Sequence, residues 1–181
     1  MSGNLPKINP TIHLSKTDAA KRQIEMAVKL FLRDQDPVSI HTLTSAAYNV
    51  LLDLKNKRKI DLVVLKSTSF IKPGKEKEYL AILNQAENFF KHADRDPDEL
   101  LKFNPELTTY ALSDAIRVYY VLTGESTPLM KAFNMWFMLR HTDLVDNPEC
   151  KQILHEIKTL DVLNVNNKQA FLNILPQLDV I

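Results

Sequence analysis

Apolar residues recur at three- and four-residue intervals along most of the chain, the spacing that gathers them on one side of an α-helix. Ala20, Ile24, Ala27, Val28 and Phe31 follow it, and Lys21, Arg22, Glu25 and Lys29 take the opposite side. This predicts a first helix ending near Arg33, with Ser15 or Thr17 as its cap. Asp36-Pro37 is a cap followed by a first-turn proline, so a second helix is expected over Pro37 to Lys57. Its stripe is Leu43, Ala46, Ala47, Val50, Leu51 and Leu54, and positive charge from Lys55 to Lys59 suits its C-terminal end. Residues 60–72 hold the β-branched run Ile60 to Leu65, too short for its period to decide; a short helix or irregular chain is the reading, since a lone strand finds no partner.

Pro73-Gly74 marks a break before a third helix expected over Lys75 to Asp94, with Tyr79, Ile82, Leu83, Ala86, Phe89, Phe90 and Ala93 on its packed side. Asn104-Pro105-Glu106 starts a fourth helix, which Thr123-Gly124 stops. Ser126-Thr127-Pro128 starts a fifth, and Phe133, Met135, Trp136, Phe137, Met138 and Leu139 make it apolar nearly all round. Such a helix lies at the centre of a fold or at an interface. Asn147-Pro148 opens a sixth, and Asn166 or Asn167 a seventh that Pro176 stops. The expected fold is an all-α, single-domain bundle of about six or seven helices over residues 15–181, preceded by an extended or mobile arm at 1–14, where Pro6 and Pro10 disfavour helix.

Composition sharpens this picture by exclusion. With 181 residues, 45% of them hydrophobic, one domain can bury an ample core. Three isolated glycines, Gly3, Gly74 and Gly124, cannot build a phosphate-cradling loop. A net charge of +1 gives no overall attraction to nucleic acid or acidic membrane. Cys150 stands alone, which fits a reducing compartment, and the first residues lack the layout of a signal peptide. No apolar run nears the roughly 18 residues needed to span a bilayer. A cytoplasmic protein with no membrane partner and no cofactor is therefore expected.

On the third helix, Asn88, Lys91, His92 and Arg95 fall together at i, i+3, i+4 and i+7. As a site they would bind an anion or phosphodiester, with His92 as general acid or base and Lys91 or Arg95 stabilising negative charge. A solvated polar face explains the same residues, and every amphipathic helix has one. His41, in the first turns of the second helix, is a further candidate, with a structural hydrogen bond as its plainer role. The five histidines show no second His or Cys at i+3 or i+4, and Asp94, Asp96 and Asp98 open like a calcium loop that Glu99 and Pro105 then fail to continue, so no metal site is expected.

The segments Asp36-Pro37-Val38-Ser39-Ile40-His41-Thr42-Leu43 and Asn88 through Pro97 resemble a family of uncharacterised all-helical bacterial proteins over most of the chain. That resemblance supports one domain and carries no chemistry. A remoter likeness is to HEPN domains, helical bundles that often dimerise and include RNA-cleaving members. Their motif is an arginine, four to six residues of which the first is polar, then a histidine. His92 matches the histidine, whereas Gln85, Ala86 or Glu87 stands where the arginine belongs. Three functions follow as expectations: a non-enzymatic binding or interaction module, a HEPN-like RNA-binding protein or ribonuclease, and a small-molecule binder with a pocket between helices near Tyr48, Tyr119 and Trp136. The likeness implies a homodimer, with RNA or a protein as the further partner.

Overall fold

The structure is a computed structural model and describes residues 11–94, 97–159 and 163–175. It is an all-helical bundle: α1 Lys16–Leu32, α2 Pro37–Lys57, α3 Glu76–Lys91, α4 Glu106–Thr123, α5 Pro128–Arg140, α6 Pro148–Thr159 and α7 Gln169–Asn173, with no strand among the described residues. One 3-10 turn, Thr142–Leu144, joins α5 to the chain leading into α6. No described helix is long and apolar enough to cross a membrane. Most of the expected arm, residues 1–10, lies outside the described residues, as does Pro176.

Local chemistry sets the helix ends. Ser15 accepts from the Asp18 amide at 3.0 Å and Asp18 accepts from the Ser15 amide at 3.0 Å, a reciprocal capping box. Asp36 accepts from the Ser39 amide at 2.7 Å and Pro37 takes the first turn of α2. Thr127 caps α5 with Pro128 behind it. Gly124 ends α4 with φ 72°, a left-handed geometry that glycine adopts without a Cβ penalty.

α1, α2, α4 and α5 pack around one core, and the fully buried Ile24, Tyr48, Leu112, Ile116, Met130 and Phe133 come from all four of them. α7 closes one side against α5 and α1 through buried Phe171, while α6 leans on α5. α3 packs mainly on α2 and departs from the expected pattern. It stops at Lys91, short of Asp94, and Ile82 on its expected apolar side is 62% exposed. Its one fully packed side chain is a carboxylate, Glu87. The stripe of α2 is likewise rotated: His41, Thr44, Ser45 and Tyr48 are buried beside Ala47 and Leu51. Residues 60–72 contain turns and no helix or strand.

Candidate binding site

The polar side of α3 divides in two. His92 is the residue after the helix, extended at φ −130°, and its amide bonds the Asn88 carbonyl at 3.0 Å. Asn88 and His92 line an open groove of about 570 Å³ with Gln85, Phe89, Asp94 and Glu99. Lys91 turns to the α2 side and forms an ion pair with Glu87. Arg95 lies outside the described residues. The other acidic or basic side chains among the described residues of this groove's wall are Asp94 and Glu99.

Beneath the other side of α3 runs a buried polar cluster. Asp114 of α4 accepts from the Tyr48 phenol, from the Leu65 amide at 2.7 Å and from Arg117 Nε at 3.0 Å. Arg117 also donates to the Val63 carbonyl, and Tyr79 donates to the Leu65 carbonyl at 2.5 Å. Glu87 accepts from Asn49 at 2.5 Å, faces Lys66 Nζ at 3.5 Å and is paired with Lys91. Residues 63–66 are therefore held by side chains of α2, α3 and α4 in place of a backbone ladder. Buried polar groups need such partners. Burial pushes the Tyr48 phenol far above its ordinary value, and the carboxylate of Asp114 adds to the shift. Burial would raise Glu87 also, but Lys91, Lys66 and Asn49 together hold its carboxyl below the ordinary value.

His41 stands next to this cluster. Its Nδ1 lies 2.9 Å from Thr108 Oγ1 and its Nε2 3.2 Å from Ser45 Oγ, and Phe90 and Phe103 meet the ring edge-on. The imidazole thus ties α2 to α4. Burial holds it below the ordinary histidine value near 6.5, opposed by Glu87 and assisted by Lys66 and Lys91. The unfolded chain then binds a proton that the folded protein resists. The stability contributed by neutral His41 is complete above that ordinary value and is lost as the pH falls through the lower folded one. Urea denaturation at about pH 7.5 and about pH 5.5 should show wild type losing more stability than His41→Gln. Equal losses in both proteins would remove His41 from the account.

The third feature is a groove of about 510 Å³ between α4, α5 and the 3-10 turn. Ile116, Phe137 and Val145 line it with Tyr120, Met138 and Leu144, the last three 55%, 41% and 58% exposed. Ser113, Arg117, Ser126, Asn134 and His141 supply its polar groups. His141 is 9% exposed, meets the Phe137 ring in a tilted contact at 4.6 Å and faces the Tyr110 phenol at 3.4 Å through Nδ1. Its Nε2 is buried without a hydrogen-bond partner among the described residues.

Tyr48, Tyr119 and Trp136, expected beside one pocket, are engaged separately: Tyr48 with Asp114, Tyr119 with Glu125 at 2.5 Å and Trp136 Nε1 with the Val165 carbonyl at 3.0 Å. The sequence did carry a signal for the α4–α5 groove. An apolar surface all round α5 is more than one core contact consumes, and Phe137 and Met138 are the surplus. His141, one residue beyond the helix, gave no such signal. No protein-family model matches the chain, and no curated protein or solved structure matches it either.

Proposed function

We propose that this protein is a non-enzymatic binding module and that its ligand lies in the α4–α5 groove. The supporting observation is the doubled apolar surface of α5. Phe133, Trp136 and Leu139 are buried in the core, while Phe137 and Met138 turn to a concave face where Tyr120 and Leu144 meet water. A concave, mostly apolar surface of this volume with a few polar groups is the form of a small-ligand site. The titratable groups of the interior do other work, since Asp114, Glu87 and His41 hold α2, α3, α4 and residues 63–66 together. The RNA reading draws less support, because Lys91 is paired with Glu87.

Met138→Arg tests the proposal. Both residues are good helix formers, and the position is partly in water, so the fold should tolerate the change within about 0.5 kcal/mol. The guanidinium would occupy the groove wall. Nile red, a neutral apolar dye, should fluoresce on binding wild type and bind the variant at least about tenfold more weakly, a loss of about 1.4 kcal/mol. Unchanged dye binding in a variant of unchanged stability would remove the groove from consideration.

A further inference from the structure

We infer a second binding site, independent of the α4–α5 groove: a cavity beside the α1–α2 turn that takes a small uncharged apolar molecule, about one benzene ring in size. Packed interiors leave few voids larger than a water molecule. Here a cavity of about 180 Å³ lies where the end of α1, the start of α2 and the start of α4 meet. Phe31, Pro37, Ile40, Pro105 and Leu112 form its apolar wall. Phe31, Ile40 and Leu112 are buried members of the core, so a guest that reaches them leaves water behind. The route in is a wider, open cleft of about 400 Å³ beside Trp136 and Arg140, which shares Phe31, Thr109 and Lys168 with the cavity.

What selects an apolar guest is that the polar side chains in the wall are already engaged. Thr108 Oγ1 lies 2.9 Å from His41 Nδ1, and Thr109 Oγ1 donates to the Glu106 carbonyl at 2.7 Å. Gln35 Nε2 donates to the Arg33 carbonyl at 2.9 Å. Lys168 is paired with Asp34 at 2.6 Å, and its ammonium sits 4.3 Å from the centre of the Phe31 ring. A charged guest would have to part that ion pair to be met. A hydroxyl on the guest would lose its water without gaining a committed partner, which costs affinity. A hydrocarbon ring gives up nothing. An apolar cavity of about 150 Å³ is enough to stay dry and admit benzene, and this one is of that size.

Methyl NMR on the full chain tests this, because Ile40 and Leu112 line the cavity whereas Ile116 and Leu144 line the groove. Titrated benzene should shift the Ile40 and Leu112 methyl resonances saturably. Phenol, the same ring with one hydroxyl, should bind there at least about tenfold more weakly, and benzoate more weakly still. Thr109→Phe, which puts a ring into the cavity at the cost of one hydrogen bond within α4, should weaken benzene at least about tenfold. Met138→Arg, on the other site, should leave benzene affinity at Leu112 unchanged. The inference is overturned by the absence of a saturable shift with benzene, by phenol or benzoate binding as tightly as benzene, or by undiminished benzene affinity in Thr109→Phe. It is overturned also if Met138→Arg abolishes the Leu112 shift, since the guest then belongs to the groove. Should Thr109→Phe fail to fold, the contrast between benzene and phenol on wild type decides alone.

Discussion

Replacing Asp114 by alanine should cost about 3–5 kcal/mol of stability, a fall in the midpoint of thermal unfolding of roughly 6–20 °C for a domain of this size. The carboxylate is nearly buried and meets three donors on three parts of the chain: the Tyr48 phenol on α2, the Leu65 amide in the strapping segment and the Arg117 guanidinium on its own helix. Truncation leaves a buried hydroxyl and a backbone amide without acceptors, and the penalty for each is the full loss of hydration. Asp114→Asn is the informative companion. Its amide oxygen can still accept from Leu65, but its NH₂ confronts the Arg117 guanidinium, so about half the loss should remain. Hydrogen exchange localises the effect. The Leu65 amide should lose protection in both variants before the α1 core does. A cost below about 1 kcal/mol for the alanine variant would mean that residues 63–66 are held by something other than Asp114.

That cluster also marks where sequence reasoning reached its limit. α1, α2, α4 and α5 were legible because caps, prolines and a glycine punctuate them: Ser15, Asp36-Pro37, Thr127-Pro128 and Gly124 all act as the pattern implied. Periodicity failed wherever polar side chains do the packing. Glu87 belongs to no apolar stripe, yet it is the buried anchor of α3, because Asn49 and Lys66 come from elsewhere in the chain to meet it. Residues 60–72 have neither a period of 3.6 nor one of 2, because the backbone at 63–65 bonds to side chains of Asp114, Arg117 and Tyr79. Pairings 14 to 54 residues apart leave no local trace. The candidate site was half legible for the same reason. The apolar excess of α5 is local and visible, whereas an orphan nitrogen on His141 exists only once Tyr110 and Phe137 have been folded around it.

Phe133→Ala should be the other large loss, about 3–5 kcal/mol by urea denaturation. Phe133 is completely buried on α5 and meets Phe31 of α1 edge-on at 5.3 Å, with Trp136 at 5.7 Å and Phe137 stacked at 6.2 Å on its own helix. Removing the ring deletes its transfer energy and leaves a cavity that these neighbours fill only in part. The consequence reaches the proposed site, because the Phe137 ring that rests on Phe133 also carries His141 at 4.6 Å. Dye affinity should therefore fall along with stability in Phe133→Ala, whereas Met138→Arg should lower dye affinity alone. Leu51→Ala, in the same core on α2 but outside the groove's lining, supplies the control. It should cost about 2–5 kcal/mol and leave Nile red binding to the folded protein intact. If Leu51→Ala weakens the dye as much as Phe133→Ala does, binding follows global stability and the ring stack beneath the groove has no separate part in it.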